Sequence, residues 1–376
     1  MPPSTREHVA PDANRQPAGN SVSGPPPALV RAGAGRRGRV ARRIGAAVLA
    51  CLKLAIFIWG ALALWYQAAT PWRWPLLLGW GAMAALALAS PWLRRGHRWL
   101  RLAPAVAALL LLTWWHTLTP SHARVWADEV ARLLRAEVDG DRVTLHNVRN
   151  FAWRSATEYT PRWETREYDL NQLVSADLLL SYWMGPAIAH TLVSFGFADG
   201  RQLVFSLEIR KERHEAFSAL AGFFREFEAV IVAADENDIV RVRTNMRGEQ
   251  VRLYRLALDK AQLRSAFLGY LQEAERLRQQ PSFYNTLTSN CTTIVHDLAR
   301  QLVPGLPMDY RLLLSGYFAG YAYDHNGLVP GYSFAALQDR ADITGRARAF
   351  QGAPLRFSQA IRQGVPGAEP AVPRYR

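Results

Sequence analysis

Three long apolar runs dominate the first third of the chain, and they cover residues 44–66, 76–93 and 102–115. The first run is long enough to cross a bilayer, which takes about 20 apolar residues, and Lys53 is its only charge. The third run is shorter and reaches a spanning length only when residues 100–118 contribute. The pattern therefore predicts a membrane region over residues 44–118 that contains three transmembrane helices.

From about residue 120 the pattern changes to the short elements of a soluble α+β domain, which we predict over residues 120–345. Two runs rich in β-branched and aromatic residues, 188–197 and 202–210, flank a short polar turn and predict a hairpin. Residues 258–279 have helical periodicity and end before a proline, which predicts a long helix. The pattern also predicts a helix over residues 215–227 and a strand over residues 238–244.

A further helix is predicted to begin close to Cys291. Ser289 and Asn290 are residue types that favour the N-cap position. After them, apolar side chains recur at helical spacing at Ile294, Val295, Leu298 and Leu302. A thiol in the first turn lies near the positive end of the helix dipole, which favours the thiolate. Cysteine hydrolases and acyltransferases often hold their nucleophile there, but a small buried residue at a helix start fits the pattern equally well.

The two ends of the chain lack hydrophobic periodicity and are rich in proline, glycine and alanine. Residues 1–43 also carry a cluster of arginines, and we predict a disordered, basic N-terminus that lies in the cytoplasm. Residues 346–376 return to a similar composition, which predicts a disordered C-terminal tail.

The chain is basic, with a formal net charge of +14 from 45 Lys and Arg against 31 Asp and Glu. Arginines flank the apolar runs, at Arg36, Arg37, Arg39, Arg42 and Arg43, and again at Arg94, Arg95, Arg98 and Arg101. Because positive loops stay in the cytoplasm, three spans place everything after about Pro120 in the periplasm of a Gram-negative cell. We therefore predict a multi-pass protein of the bacterial inner membrane. No zinc-finger, RNA-recognition or basic-zipper pattern is found, so we expect no nucleic-acid partner.

The chain has two cysteines, Cys51 and Cys291, in different regions. Cys51 lies inside the first apolar run, and Cys291 lies far along the predicted domain. Two cysteines so placed exclude a disulfide framework and a CxxC metal pattern. We expect neither a metal nor a cofactor, so the chemistry of Cys291 depends on the side chains around it.

A nucleophilic cysteine needs a base, usually histidine, and a third group that orients the base. The predicted domain contains His122, His146, His190, His214, His296 and His325. His190 lies near the start of a predicted strand, and a strand-borne imidazole beside a helix-borne thiol is the layout of papain-like enzymes. Here the histidine precedes the cysteine, which requires a permuted version; a hydrogen-bonded structural histidine is the alternative. Glu208 on the next strand is the candidate for the third group, unless it is an exposed carboxylate paired with Arg210.

Several separated motifs resemble one known family. They comprise residues 149–151, Arg154 and Ser155, His190, residues 194–197, residues 206–210, Tyr284 and Asn285, and residues 290–293. Together they resemble the N-terminal periplasmic domain of the Lnb type, a family associated with bacterial lipoprotein N-acyltransferases. The resemblance covers roughly residues 120–300. It implies a permuted papain-like fold, similar to NlpC and lecithin:retinol acyltransferase enzymes.

This resemblance implies a membrane-anchored acyltransferase with a cysteine nucleophile. Cys291 would attack an ester of a membrane lipid and form a thioester, with His190 as its base and Glu208 as the third group. The donor would be a phospholipid or the lipoprotein's own diacylglyceryl group, and the N-terminal amine of a bacterial lipoprotein would accept the acyl chain. Candidates for stabilising the oxyanion or positioning the substrate are Asn290, Tyr284 and Asn285; a helix cap or a core residue is the alternative role.

Two other functions are compatible with the sequence. A papain-like cysteine hydrolase of the cell envelope would use the same residues, with water as acceptor, to cut peptidoglycan peptides or lipid esters. A non-enzymatic envelope protein would need Cys291 only for packing. The hydrolase differs from a transferase in its acceptor, which is water and not an amine. The non-enzymatic protein would keep its function in cells after Cys291→Ala, whereas either enzyme would lose it.

Overall fold

Three helices form the N-terminal part of the computed structural model, which describes residues 29–90 and 98–368. They are α1 (Leu29–Gln67), α2 (Thr70–Ala89) and α3 (Arg98–Thr117). Their buried contacts are made by Phe57, Leu64, Trp80, Ala87 and Leu111. Lys53 Nζ on α1 donates a hydrogen bond to the Ala87 carbonyl at 3.0 Å, so the single charge of the first apolar run has a partner at the end of α2.

Two of the three helices are long and apolar enough to cross a membrane, over Arg39–Gln67 and Trp99–Thr117. The prediction of three spans is therefore confirmed for α1 and α3 as candidates, whereas α2 does not meet the same criterion. The first residues of α2 include two prolines, two tryptophans and Arg73, so its apolar part begins at Leu76. Residues 76–89 rise only about 21 Å at 1.5 Å per residue, which is shorter than the hydrocarbon core of about 30 Å.

The predicted disorder of residues 1–43 is wrong from Leu29 onward, where α1 begins. Alanine and arginine are good helix formers, and each residue added to an existing helix gains one hydrogen bond. Residues 1–28 lie outside the described residues. So do residues 91–97, which include Arg94 and Arg95 of the second basic cluster and the end of the second predicted apolar run.

A mixed domain of strands and helices follows. Its strands are β1 (Arg135–Asp139), β2 (Arg142–Arg149), β3 (Ala152–Trp153), β4 (Tyr159–Thr160), β5 (Trp163–Asp169), β6 (Leu173–Met184), β7 (Ile188–Phe197), β8 (Gln202–Arg210), β9 (Glu228–Ala234) and β10 (Gln250–Arg255). Its helices are α4 (Glu236–Arg241), α5 (Lys260–Gln279), α6 (Cys291–Leu302), α7 (Phe318–Asp324), α8 (Phe334–Arg340), α9 (Thr344–Ala349) and α10 (Pro354–Ile361).

An eight-stranded sheet forms the centre of this domain, in the order β1-β2-β9-β8-β7-β6-β10, with β5 also paired to β2. The ladder β2–β9 is parallel, and the other ladders of the sheet are antiparallel. The predicted combination of helices and a sheet is confirmed, whereas the papain-like topology stays a prediction. The β7–β8 hairpin has the bounds expected from the sequence.

Different helices cover the two faces of the sheet, because successive side chains of a strand point to opposite faces. Phe195 of β7 and Phe205 of β8 pack on one face against α5 and α6, through side chains such as Phe267. Leu192 and Val204 point to the other face, where α4, α9 and α10 pack. The helix that carries Cys291 therefore has its own face of the sheet, opposite the C-terminal helices.

The C-terminal region corrects the prediction of a disordered tail over residues 346–376. Helices α9 and α10 pack on the sheet, and Phe357 and Ile361 are fully buried. The side chain of Arg362 is also buried, where it forms ion pairs with Asp177 and Glu236. The prediction of disorder depends on the proline and alanine content of the tail. The tail also contains apolar side chains near the helical period, such as Phe357 and Ile361, and these are buried. Residues 369–376 lie outside the described residues.

Candidate active site

Cys291 is the first residue of α6, and Asn290 is the N-cap that starts the helix. The Asn290 side-chain oxygen accepts hydrogen bonds from the N–H groups of Thr292 and Thr293, both at 2.9 Å. The Thr293 hydroxyl in turn accepts from the Asn290 N–H at 2.8 Å, which completes a capping box. The Cys291 amide is left without an intrahelical acceptor, as is usual for the first N–H of a helix.

Two contacts connect the start of α6 to β7. The β7–β8 ladder pairs residues only from Leu192 to Gly196, and the next amide, that of Thr191, donates to the Cys291 Sγ at 3.4 Å. The Thr191 and Thr292 hydroxyls share a hydrogen bond of 3.0 Å. The thiol is therefore placed where β7 and β8 separate, and an N–H group points at it.

His190 lies one residue before this junction and contacts Glu208 on β8. The register that pairs Leu192 with Ser206 places Glu208 opposite His190. The His190 Nε2 is 3.1 Å from Glu208 Oε1 and 2.6 Å from the Ser206 hydroxyl, which itself donates to Glu208 at 2.8 Å. Because Nε2 is occupied by these two groups, Nδ1 is the ring nitrogen that remains for the Cys291 thiol.

The charges of these three groups alternate. Burial raises the pKa of the Cys291 thiol, but the His190 charge, the His190 hydrogen bond and the Thr191 N–H outweigh burial, so the pKa is lowered. Burial lowers the pKa of His190, but the Glu208 carboxylate and Cys291 raise it to about 9. Burial raises the pKa of Glu208, but His190 and Arg243 hold it well below its usual range. These directions favour a thiolate beside an imidazolium that a carboxylate holds.

Arg243 is a member of this site that the sequence did not indicate. It lies in a π-helical turn, Val242–Met246, which follows α4 directly. Its guanidinium is buried and donates to Glu208 at 2.9 Å and to Glu249 at 3.3 Å. Burial lowers the pKa of Arg243, but the two carboxylates outweigh burial. The pKa is therefore raised above its usual value, and the cation is permanent. π-helical turns occur frequently at functional sites, and here the turn fixes the Glu208 carboxylate.

A cavity of about 490 Å³ opens onto Cys291. This volume is in the range of small-molecule sites. His190, Glu208 and Arg243 are among the residues that line it. Its apolar wall is formed by Trp183, Ile188, Leu207, Phe217 and Leu313. The cavity thus combines one thiol with a wall suited to an aliphatic group.

The comparison with protein families concerns this part of the chain. Residues 159–316 match the family model of the Lnb N-terminal periplasmic domain. The match confirms the resemblance read from the separated motifs, and it contains Cys291, His190 and Glu208. Neither the curated proteins nor the solved structures gave a match.

Within the matched region, the three residues expected to act on the oxyanion or the substrate have different positions. Tyr284 lines the cavity, and burial together with the charges of Cys291 and Glu208 raises its pKa, so the phenol stays protonated and is able to donate. Asn290 also lines the cavity, but its side chain caps α6 and donates to the Thr286 carbonyl. Asn285 accepts from the N–H groups of Leu287 and Thr288 and shapes the turn before α6. It is not among the residues that line the cavity.

Among the histidines of the described residues, His190 alone lines the cavity with Cys291. His122 contacts Arg210 and the Leu277 carbonyl, and His214 is largely exposed. His296 is buried against Tyr321, on the same helix as Cys291. Within residues 29–90 and 98–368, no group of three or more His, Cys, Asp or Glu side chains is arranged to hold a metal ion.

Proposed function

We propose that this protein is a membrane-anchored thiol acyltransferase that moves an acyl chain from a membrane lipid ester to the N-terminal amine of a bacterial lipoprotein. The observation that carries the proposal is that Cys291 and His190 line one cavity with an apolar wall, with Glu208 3.1 Å from the His190 ring. The candidate membrane helices and the match to a periplasmic domain family support a position on the periplasmic side of a membrane.

The first half of the reaction forms a thioester. The Cys291 thiolate attacks the ester carbonyl of the lipid, and a tetrahedral oxyanion forms near the Cys291 N–H and the Tyr284 hydroxyl. The carbon–oxygen bond to the glycerol then breaks. The His190 imidazolium gives its proton to the departing alcohol, so the products are a lyso-lipid and the acyl-enzyme.

The second half consumes the thioester. The N-terminal amine of the lipoprotein attacks the thioester carbonyl, and neutral His190 accepts the proton that the amine loses. The carbon–sulfur bond breaks, the amide forms, and the thiolate–imidazolium pair is restored. Glu208 and Arg243 keep the imidazole in one orientation throughout and touch no reacting atom.

The acyl-enzyme is the species that tests this proposal. The full chain is reconstituted in liposomes whose phospholipids carry isotope-labelled acyl chains, and the labelled protein is examined by mass spectrometry. We expect hydroxylamine-sensitive label on Cys291, and its transfer to a synthetic diacylglyceryl lipopeptide with a free N-terminal amine. A second experiment places the label in the lipopeptide's own ester chains and so distinguishes the two donors.

The acceptor decides between transfer and hydrolysis. An N-acetylated lipopeptide serves as the matched control, because it lacks only the free amine. Release of free fatty acid at the same rate with either lipopeptide, and without amide product, would assign the protein as a hydrolase. Undiminished transfer by Cys291→Ala would exclude both enzymatic functions.

A further inference from the structure

The connection between β8 and β9, residues 211–227, contacts the end of the helical bundle. The Phe224 ring stacks on Tyr66 of α1, with centroids 5.6 Å apart, and lies edge-on to Trp115 of α3 at 6.5 Å. Gln67 Nε2 donates to the Phe224 carbonyl at 2.9 Å. Tyr66 and Trp115 belong to the last turns of the two candidate membrane spans, so Phe224 lies at the level where both spans end.

The same end of the bundle is rich in tryptophan. Trp59 packs edge-on against Trp115, and Trp65 packs edge-on against Trp74. Trp74 and its neighbour Trp72 are mostly exposed. Tryptophan and tyrosine concentrate at membrane–water interfaces, where a ring and a polar N–H or O–H group are both accommodated. The aromatic end of the bundle therefore marks an interface at the level of Phe224.

Three apolar side chains of this connection are exposed beside that interface. Phe217 is 53% exposed, Leu220 is 46% exposed and Phe223 is 36% exposed. We call these three residues the apolar lip. Clusters of exposed apolar side chains on a folded domain mark surfaces that bind another apolar surface.

One residue of the apolar lip, Phe217, also belongs to the candidate active site. Phe217 lines the cavity and packs edge-on against Trp183, which lines it too, with centroids 5.8 Å apart. The Thr286 hydroxyl, in the turn before α6, donates to the Ala219 carbonyl at 3.0 Å and so holds the connection to the site. One short connection therefore contacts the bundle at Phe224 and forms the wall of the thiol cavity at Phe217.

We propose that the apolar lip inserts into the bilayer that surrounds α1 and α3, and that the acyl chain of a lipid ester enters the cavity between Phe217 and Trp183 without leaving the bilayer. The occupant is the bilayer because the lip continues a surface that ends in two candidate spans and a tryptophan-rich belt. Insertion of the lip is independent of catalysis, whereas entry of the acyl chain rests on the proposed function.

Insertion is tested with a fluorophore on the lip. The variant Leu220→Cys in a Cys51→Ala and Cys291→Ser background is labelled with an environment-sensitive dye and reconstituted as the full chain in liposomes that contain brominated phospholipid. The matched control is Val138→Cys, because Val138 is similarly exposed, at 51%, but lies in the β1–β2 hairpin. Asp141 of this hairpin forms an ion pair with Arg264 of α5. Arg264 is near the first residues of α5, whereas the last turn of α5 contacts His122, shortly after α3. The control site is thus remote from the bundle.

We expect brominated lipid to quench the dye at position 220 at least about twofold more than the dye at position 138, as for a side chain buried below the headgroups. Equal quenching at the two positions, or none at 220, would overturn the insertion of the lip. Because both variants lack the Cys291 thiol, this result does not depend on whether the protein is an acyltransferase.

Entry of the acyl chain is tested with Leu220→Asp, which adds a charge to the lip but lies outside the cavity lining. We expect thioester formation from bilayer phospholipid to fall about tenfold or more, since a charge resists insertion. Alkylation of Cys291 by iodoacetamide, a small soluble reagent, is expected to stay within about twofold of wild type if the site is intact. Unchanged thioester formation in Leu220→Asp would refute this entry route, and absence of any thioester in wild type would refute it together with the proposed function.

Discussion

Thr191 and Thr292 share a hydrogen bond of 3.0 Å, and each follows directly after a residue of the candidate active site. Thr191 follows His190 on β7, and Thr292 follows Cys291 on α6. Both threonines are buried, so neither hydroxyl has water as a substitute partner. This bond fixes the axial position of α6 along β7 and thereby the distance between the thiol and the imidazole.

Thr292→Val is expected to lower the free energy of unfolding by about 1 to 3 kcal/mol, because it leaves the Thr191 hydroxyl buried without a partner. The double variant Thr191→Val with Thr292→Val removes both hydroxyls and is expected to recover most of that loss. A double-mutant cycle measured by denaturant unfolding checks the coupling. Additive effects of the two single changes would show that the bond does not connect the elements.

Replacement of Cys291 or of His190 is expected to abolish acyl transfer without unfolding the domain. Cys291→Ser and His190→Ala should each lower the rate by at least about a thousandfold, as for other nucleophile–base pairs. Cys51→Ser is the matched control, because Cys51 is an exposed thiol in α1 and has no contact with the site. Circular dichroism and thermal unfolding establish that the variants are folded. A low rate in the Cys51 variant as well would point to a general effect on the protein.

The pH dependence of the site follows from the Cys291–His190 ion pair. The lowered pKa of Cys291 favours the thiolate, and the imidazolium persists until the pH passes about 9. We expect acyl transfer to fall above about pH 9, where the acid for the departing alcohol is lost, while iodoacetamide alkylation of the thiolate continues.

The raised pKa of His190 also contributes to the stability of the fold. This contribution is fully present below pH 6.5, the ordinary pKa of histidine, and it disappears as the pH rises through about 9. His190→Ala should slow alkylation at pH 7, since the thiol pKa then rises.

Glu208 is expected to act on the reaction only through His190. Glu208→Gln removes the carboxylate that raises the pKa of His190, so the alkaline limb of the rate profile should move to lower pH by about one unit or more. Glu249→Gln is the matched control, because Glu249 contacts Arg243 but is not among the groups that shift the pKa of His190. The two pH–rate profiles are compared directly. An unchanged alkaline limb in Glu208→Gln would contradict the positioning role.

Arg362→Met is expected to destabilise the domain by about 3 to 5 kcal/mol, because it leaves the buried Glu236 carboxylate without its cation and Asp177 with Arg255 alone. The Arg362 guanidinium lies 2.8 Å from Asp177 and 2.6 Å from Glu236, and all three side chains are buried. Arg356→Met on α10, the helix that Arg362 follows directly, is the control, since Arg356 is exposed. Urea unfolding of the full chain measures both variants. Equal free energies of unfolding of the two variants would show that the ion pairs of Arg362 do not stabilise the domain.

The sequence predicted the parts of the site that depend on local patterns. Alternation along 188–197 and 202–210 gave the hairpin and placed His190 and Glu208 on it, and N-cap chemistry gave the start of α6 at Cys291. These features are local because a strand period and a cap are encoded within a few residues.

Other parts depend on contacts that no local pattern encodes. Val240, Val242 and Thr244 alternate as in a strand, yet they lie in α4 and the π-helical turn that presents Arg243. The region predicted as a helix over residues 215–227 is mostly irregular, with a single 3-10 turn at Ala221–Phe223. In both cases packing against distant elements decides the backbone, which is a known limit of local propensity.

The ion pairs of Arg362 also have a consequence for the order in which the domain is synthesised. Glu236 is the first residue of α4, and its guanidinium partner follows 126 residues later in the chain. Until Arg362 emerges, the buried Glu236 carboxylate lacks this cation, whereas Asp177 already has Arg255 of β10. The hairpin and α6 are therefore complete before the charge that stabilises the sheet arrives, and a chain that terminates early would present a formed thiol site on an unstable domain.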